Sequence, residues 1–300
     1  MRTTRPLTLT LLLSVWLCSA GSTPAAAASP PMAVGVTLHP YFSWVKNIVS
    51  GTEVEVRSIV PGDIDVGDYQ PRPEEVEKII GLDAIVVNGV GHDDFIFDMI
   101  RASGNAKVKV LRPNDGVPLI RSAHGNAVNS HTFISFSNAI AQTYAIAREL
   151  GALRPDLADA FQRNAATYAR RLREMKSKAA VRLVDARVDR VVTVHDGYVY
   201  LMQEFGIEIA GVVQPTHGLV PSAAELGQMV DLLKKEHARV VFSEESFPEP
   251  LLKVLREEGG ARVYLISHIA SGPFTADRFE TDMQKNVDAI VQALVIDQGR

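Results

Sequence analysis

Eight histidines and a single cysteine, Cys18, make up the soft ligand chemistry of this 300-residue chain. One cysteine excludes an intrachain disulfide and any cysteine-rich zinc site. A transition metal would therefore have to rest on imidazole and carboxylate. Five side chains stand where such a site could form. His39 closes the apolar run 33–38 and His195 closes 191–194, while Glu244 lies just past 240–242 and His268 just past 263–266. His131 ends an aperiodic stretch, 112–130, rich in Pro, Gly and Asn. In open α/β sheets, ligands bind outside the carboxyl ends of the strands. Neutral imidazoles meeting a carboxylate there are the donor set of a divalent transition metal, with each nitrogen at about 2.0–2.1 Å. The remaining histidines read differently. His237 sits at a helix end and His217 in a loop, and the sequence does not decide His92 or His124.

The elements that must carry these residues follow from the apolar pattern. Eight short Val/Ile-rich runs, at 33–38, 54–59, 84–87, 108–111, 191–194, 207–213, 240–242 and 263–266, read as strands. Most lack polar alternation, as parallel strands covered on both faces do. Amphipathic stretches lie between them, for example 222–237, 248–257 and 276–295. The expected fold is α/β: two lobes, each a mostly parallel sheet flanked by helices. The interval 155–184 breaks the alternation. Leu157, Phe161, Ala165, Tyr168, Leu172, Met175, Ala179 and Leu183 recur at helical steps. A single helix of that length, about 45 Å, would bridge the lobes. Its other face, with Arg163, Arg170, Arg171, Arg173, Lys176, Lys178 and Arg182, reads as a solvated side rather than a partner surface. The expected organisation is a leader over 1–28, a first lobe over 33–153, the bridging helix over 154–185 and a second lobe over 186–300. His131 is expected to open a helix beginning near Phe133.

Composition narrows the class. The chain is 46% hydrophobic and 22% charged, with a formal net charge of −4. It can bury real cores, and it lacks the basic face of a nucleic-acid binder. Arg2 and Arg5, the apolar run 7–17 and Ala25-Ala26-Ala27-Ala28 read as a secretory signal peptide. Leu17 stands where a lipid-anchor signal needs a small residue before Cys18, so no lipid anchor is expected.

Several segments resemble the periplasmic solute-binding proteins of ABC importers for zinc and manganese. They are Val60-Pro61-Gly62 through Asp68-Tyr69-Gln70-Pro71, Ala84-Ile85-Val86-Val87-Asn88-Gly89, Asn129-Ser130-His131, His195-Asp196-Gly197-Tyr198 and Val240-Val241-Phe242-Ser243-Glu244, in the right order around a long central helix. The resemblance implies an interlobe metal site with His131 and His195 as ligands, a membrane ABC permease as partner, and no catalysis. Two positions depart from it. Gly67 replaces the family's first histidine, and Ser267-His268 replaces an acidic residue. Three readings stay open: His268 serves as ligand with water at the place Gly67 leaves, or His39, Asp65 or Asp68 moves in, or the site is degraded. Glu244 is either a ligand or a group that orients an imidazole.

The resulting expectation is a monomeric extracytoplasmic protein that captures a divalent metal, zinc before manganese, on His131, His195, His268, Glu244 and His39. Two other classes compete. A secreted zinc hydrolase would use Glu244 as general base, but the chain has no His-Glu-x-x-His and no Gly-x-Ser-x-Gly segment. A siderophore or corrinoid carrier would want aromatics or arginines where this chain has histidines.

Overall fold

Strand β1 (Ala33–Val36) is buried along its whole length and pairs in parallel with β2 (Glu55–Ser58) on one side and β3 (Ala84–Val86) on the other. Strand β4 (Lys109–Leu111) extends this sheet from β3. In the computed structural model, which describes residues 31–64, 66, 69–122, 127–186, 190–214, 219–236 and 238–297, a second parallel sheet repeats the arrangement. It contains β5 (Arg190–His195), β6 (Glu208–Gln214), β7 (Val240–Ser243) and β8 (Arg262–Leu265), in the order β6-β5-β7-β8, against β2-β1-β3-β4 in the first. The direction of strand addition reverses beside β1 in one sheet and beside β5 in the other. These switch points open a crevice at the carboxyl ends. All eight expected strands are present. The edge strands β2 and β8 carry charged residues such as Glu55, Arg57 and Arg262 and are only partly covered, which discourages edge-to-edge pairing.

Helices connect and cover the strands. In the first half these are α1 (His39–Ile48), α2 (Pro73–Glu77) and α3 (Phe95–Ser103). Next come α4 (Phe136–Leu153) and the long α5 (Ala158–Leu183). The second half adds α6 (Val199–Glu204), α7 (Ala223–Lys235), α8 (Glu249–Glu257) and α9 (Arg278–Val291), which continues as a π-helical turn, Gln292–Ile296. Helix α4 starts later than expected: Ser135 caps it by accepting from Asn138 N, so 131–135 is free to form a turn.

Helix α5 has 26 residues and is about 39 Å long, shorter than the expected span. Phe161, Ala165, Tyr168, Leu172, Ala179 and Leu183 form its buried stripe, as their spacing requires. The stripe packs against α1 and α4 from the first half and α9 from the second, within one apolar core that also holds Trp44, Phe136, Tyr198, Phe279 and Met283. Three of its basic residues make ion pairs across the helix layer rather than facing only water. Arg171 meets Glu280 at 3.3 Å, Lys176 meets Glu204 at 3.0 Å and Arg182 meets Asp288 at 2.5 Å. Residues 31–300 form one compact unit. Among the described residues no helix is long and apolar enough to cross a membrane. The expected leader with Cys18, and Asp65, Gly67, Asp68, His124, His217 and His237, lie outside the described residues.

Candidate metal centre

His195 is the last residue of β5, held in register opposite Gln214 of β6. The chain then tightens at once into a 3-10 turn, Asp196–Tyr198, that leads into α6. The imidazole therefore projects from the strand's carboxyl end into the crevice.

His268 arrives from the end of β8 on a segment pinned to α9. Ser267 N–H donates to Asn286 Oδ1 (2.6 Å), Asn286 Nδ2 donates to Ser267 O (2.8 Å), and the Ser267 hydroxyl donates to Asp282 Oδ2 (2.9 Å). Ile269 N–H then donates to Ser267 Oγ (3.0 Å). Ile269 has φ +58°, and among the described residues it is the one non-glycine residue with a positive φ. A β-branched residue enters that region only when its surroundings over-determine it. The turn that aims His268 inward is thus enforced by α9.

His131 is fixed by Asn129. The Asn129 carboxamide oxygen accepts both the backbone N–H and the Nδ1–H of His131, each at 3.0 Å. Asn129 Nδ2 donates to the carbonyl of Asp196 at 2.7 Å, and this decides which way the amide faces. His131 therefore carries its proton on Nδ1 and turns the Nε2 lone pair toward its neighbours.

These three histidines meet. Each offers one ring nitrogen, and the three atoms lie within 4.8 Å of one another. His131 Nε2 and His195 Nε2 are 3.0 Å apart. Two nitrogens bound to one tetrahedral ion at 2.0–2.1 Å stand about 3.3 Å apart, so the group needs only slight widening to hold one. All three rings are buried, and Phe133 lies against His131 and His268. Gly197 leaves the space open. A Cβ there would sit 2.7 Å from His195 Cδ2 and 3.0 Å from His268 Nε2.

The structure does not bring His39 or Glu244 into this group. His39 Nε2 donates to the carbonyl of Gly272 at 2.8 Å, and its ring stacks flat on Phe274 with centroids 3.9 Å apart. Burial depresses its pKa, against the raising effect of the Gly272 carbonyl. His39 thus stitches α1 to the chain after β8, together with Ser43 Oγ donating to Thr275 O (2.9 Å) and Asn47 Nδ2 donating to Ala276 O (2.7 Å). Glu244 Oε1 accepts from the Tyr198 hydroxyl at 2.9 Å. Glu244 also lines a groove of about 710 Å³ with Asp63, Glu245, His268 and Arg278.

The segment between β4 and α4 straps the halves together. Ile120 N–H donates to the Tyr200 hydroxyl (3.0 Å), which donates to Asn129 O (2.9 Å), and Ser122 Oγ donates to Asp196 Oδ2 (2.7 Å). His92, undecided from sequence, lies beside the centre, with its ring centroid 4.9 Å from that of His131 and 6.1 Å from that of His268. It lies six residues beyond the end of β3, past the turn over 88–91, too far for the strand-end rule that points to His39 and His195. Asn129 and Gly197 were visible as parts of the Asn-Ser-His and His-Asp-Gly-Tyr segments, but their roles were not.

Two like parallel sheets, a long helix between them and buried imidazoles at the strand ends define an extracytoplasmic metal-binding solute-binding protein of the ABC-importer type. The chain belongs to the family described as zinc-uptake complex component A, periplasmic, which it matches over residues 34–293. Among solved structures, it is similar to the SBP FpvC of Pseudomonas aeruginosa in complex with Ni2+, at 41% identity and a TM-score of 0.84, over 90% of this chain and 99% of that one. It is similar to the Mn2+ complex of the same protein at 42% identity and a TM-score of 0.82, over 88% and 98%. The zinc-binding lipoprotein AdcA of Streptococcus pneumoniae is 22% identical over 85% of this chain, which spans only 54% of the AdcA length.

Proposed function

We propose that this protein captures one divalent transition metal ion in the crevice between its two sheets and delivers it to the membrane permease of an ABC importer. The observation that carries this reading is the group of three buried imidazoles, drawn from both halves of the chain, with ring nitrogens within 4.8 Å of one another. Nε2 of His131 binds the ion while Asn129 holds its Nδ1–H, and His195 and His268 complete the described donor set. A nitrogen-only set places zinc ahead of manganese. The Ni2+ and Mn2+ complexes of FpvC support a centre of this kind that admits several such ions.

The function is binding and hand-over without catalysis. Glu244, the base a hydrolase would need, lies outside the three-imidazole group and accepts from the Tyr198 hydroxyl. Residues 1–28 act as a cleaved leader, and the mature chain works as a monomer. Its lobes cover 33–153 and 186–300, joined through 154–185.

Elemental analysis after competition dialysis tests the reading. Wild-type protein should retain stoichiometric zinc, and His131→Ala and His195→Ala should lose it. Full retention by both variants would overturn the assignment.

A further inference from the structure

The three-histidine group leaves a zinc ion one donor short of the usual four. The structure puts a fourth imidazole within reach, from the first sheet. His92 sits on the turn between β3 and α3, and that turn is built to hold it. The Asp93 carboxylate accepts from Asn88 N–H (2.8 Å), Gly89 N–H (3.1 Å) and the Thr37 hydroxyl (2.5 Å), which folds 88–93 back on itself. Gly89 and Gly91 take the positive φ values, +69° and +99°, that so tight a return needs. The result is a rigid base with His92 at its crest, at the carboxyl end of a strand beside the first sheet's switch point.

Ring positions carry the case. Imidazoles sharing one tetrahedral ion at 2.0–2.1 Å have centroids about 5 Å apart. Within the trio the separations are 4.7, 4.8 and 4.7 Å. His92 stands 4.9 Å from His131 and 6.1 Å from His268, edge-on to both. Its ring is buried against Phe133 rather than turned to water. Its Nδ1 makes a 3.4 Å contact with Ser130 Oγ, long for a hydrogen bond and so weakly held.

We propose that His92 is the fourth ligand of the centre and closes an all-imidazole site on the captured ion together with His131, His195 and His268. This rests on the metal capture proposed above. Four neutral nitrogens and no carboxylate favour zinc or nickel over manganese. They also tie the first sheet to the ion directly, so that loading draws β3 and β5 toward one point.

X-ray absorption on the zinc-loaded full chain counts imidazoles by their outer-ring scattering. The expected count is four in wild type and three in His92→Ala, with zinc affinity in competition against a chromogenic chelator falling tenfold or more. His92→Phe, which keeps a ring against Phe133, repeats the comparison if the alanine variant folds poorly by circular dichroism. A count of three in wild type, or the same count in wild type and variant, overturns the proposal. Failure of wild type to hold zinc at all would instead defeat metal capture, and it is seen before any variant is loaded.

Discussion

Asn129 and His131 are joined twice. One carboxamide oxygen accepts both the backbone N–H and the ring Nδ1–H of the histidine at 3.0 Å, while the amide nitrogen is anchored on the Asp196 carbonyl, directly after His195. One side chain thus sets the tautomer of one imidazole and its distance from the next. Groups that orient ligating histidines in this way are worth about 10–100-fold in metal affinity. Asn129→Ala should weaken zinc by that factor in a chelator competition titration and leave the folded far-ultraviolet spectrum unchanged. An unaltered affinity would show that the ring needs no such hold.

Glu204 should matter for stability and not for the metal. Its carboxylate accepts from Phe136 N–H (2.9 Å) and Ser137 N–H (2.8 Å) at the start of α4 and meets Lys176 of α5 at 3.0 Å. It therefore neutralises the positive end of α4 from the other half of the molecule. Glu204→Ala leaves those donors without their acceptor, at a cost of about 2 kcal/mol. Chemical denaturation should show this, with zinc affinity close to that of wild type.

The strap at 112–122 and 127–130 should respond to loading. Tyr200 and Asp196 hold it against the second half, and Asn129 at its end reaches His131. Zinc should slow amide hydrogen exchange there more than in α7 or α8, which lie on the outer face of the second sheet. Equal protection everywhere would mean that the ion does not act through the strap.

Acid should loosen the join between the halves through His39. Burial lowers its pKa from the ordinary 6.5, so the unfolded chain takes up a proton first as the pH falls. Stability contributed by the neutral buried ring is complete above about pH 6.5 and is lost below it, until the folded-state pKa is reached. Asp93 and Glu280, raised by burial, act in the opposite sense, so the comparison must be made against His39→Phe. That variant keeps a ring on Phe274 but loses the bond to Gly272. It should be less stable than wild type by about 1 kcal/mol at pH 7.5, and the gap in Tm should narrow by pH 5.

The fold was legible because burial on both faces leaves an unmistakable pattern. β1, β3, β5 and β7 are largely apolar and buried along nearly their whole length, and the stripe from Phe161 to Leu183 admits only a helix. The apolar pattern starts α4 too early, since Phe133 and Ile134 are apolar enough to extend the helix, and Ser135 as N-cap sets its first residue at Phe136. Strand ends point to His195 and His268, and the structure brings their rings together with that of His131. Strand ends also point to His39, which has the same local sequence logic but is drawn off by Gly272 and Phe274, more than 230 residues along the chain. Such a partner leaves no trace near His39 itself.

Gly197 offers the sharpest test of the centre, because it contributes no ligand atom. Its place in the 3-10 turn after His195 puts the missing side chain where the imidazoles converge. A single added methyl would stand 2.7 Å from His195 Cδ2, 3.0 Å from His268 Nε2 and 3.1 Å from His195 Nε2. Neither ring can yield freely, since β5 fixes the His195 backbone and α9 fixes the segment that carries His268. Gly197→Ala should therefore push the two imidazoles apart and reduce zinc affinity by on the order of a hundredfold, about 2.7 kcal/mol of binding free energy. Its far-ultraviolet spectrum should match that of wild type. Zinc affinity within threefold of wild type would mean that the ion sits elsewhere than among these three rings.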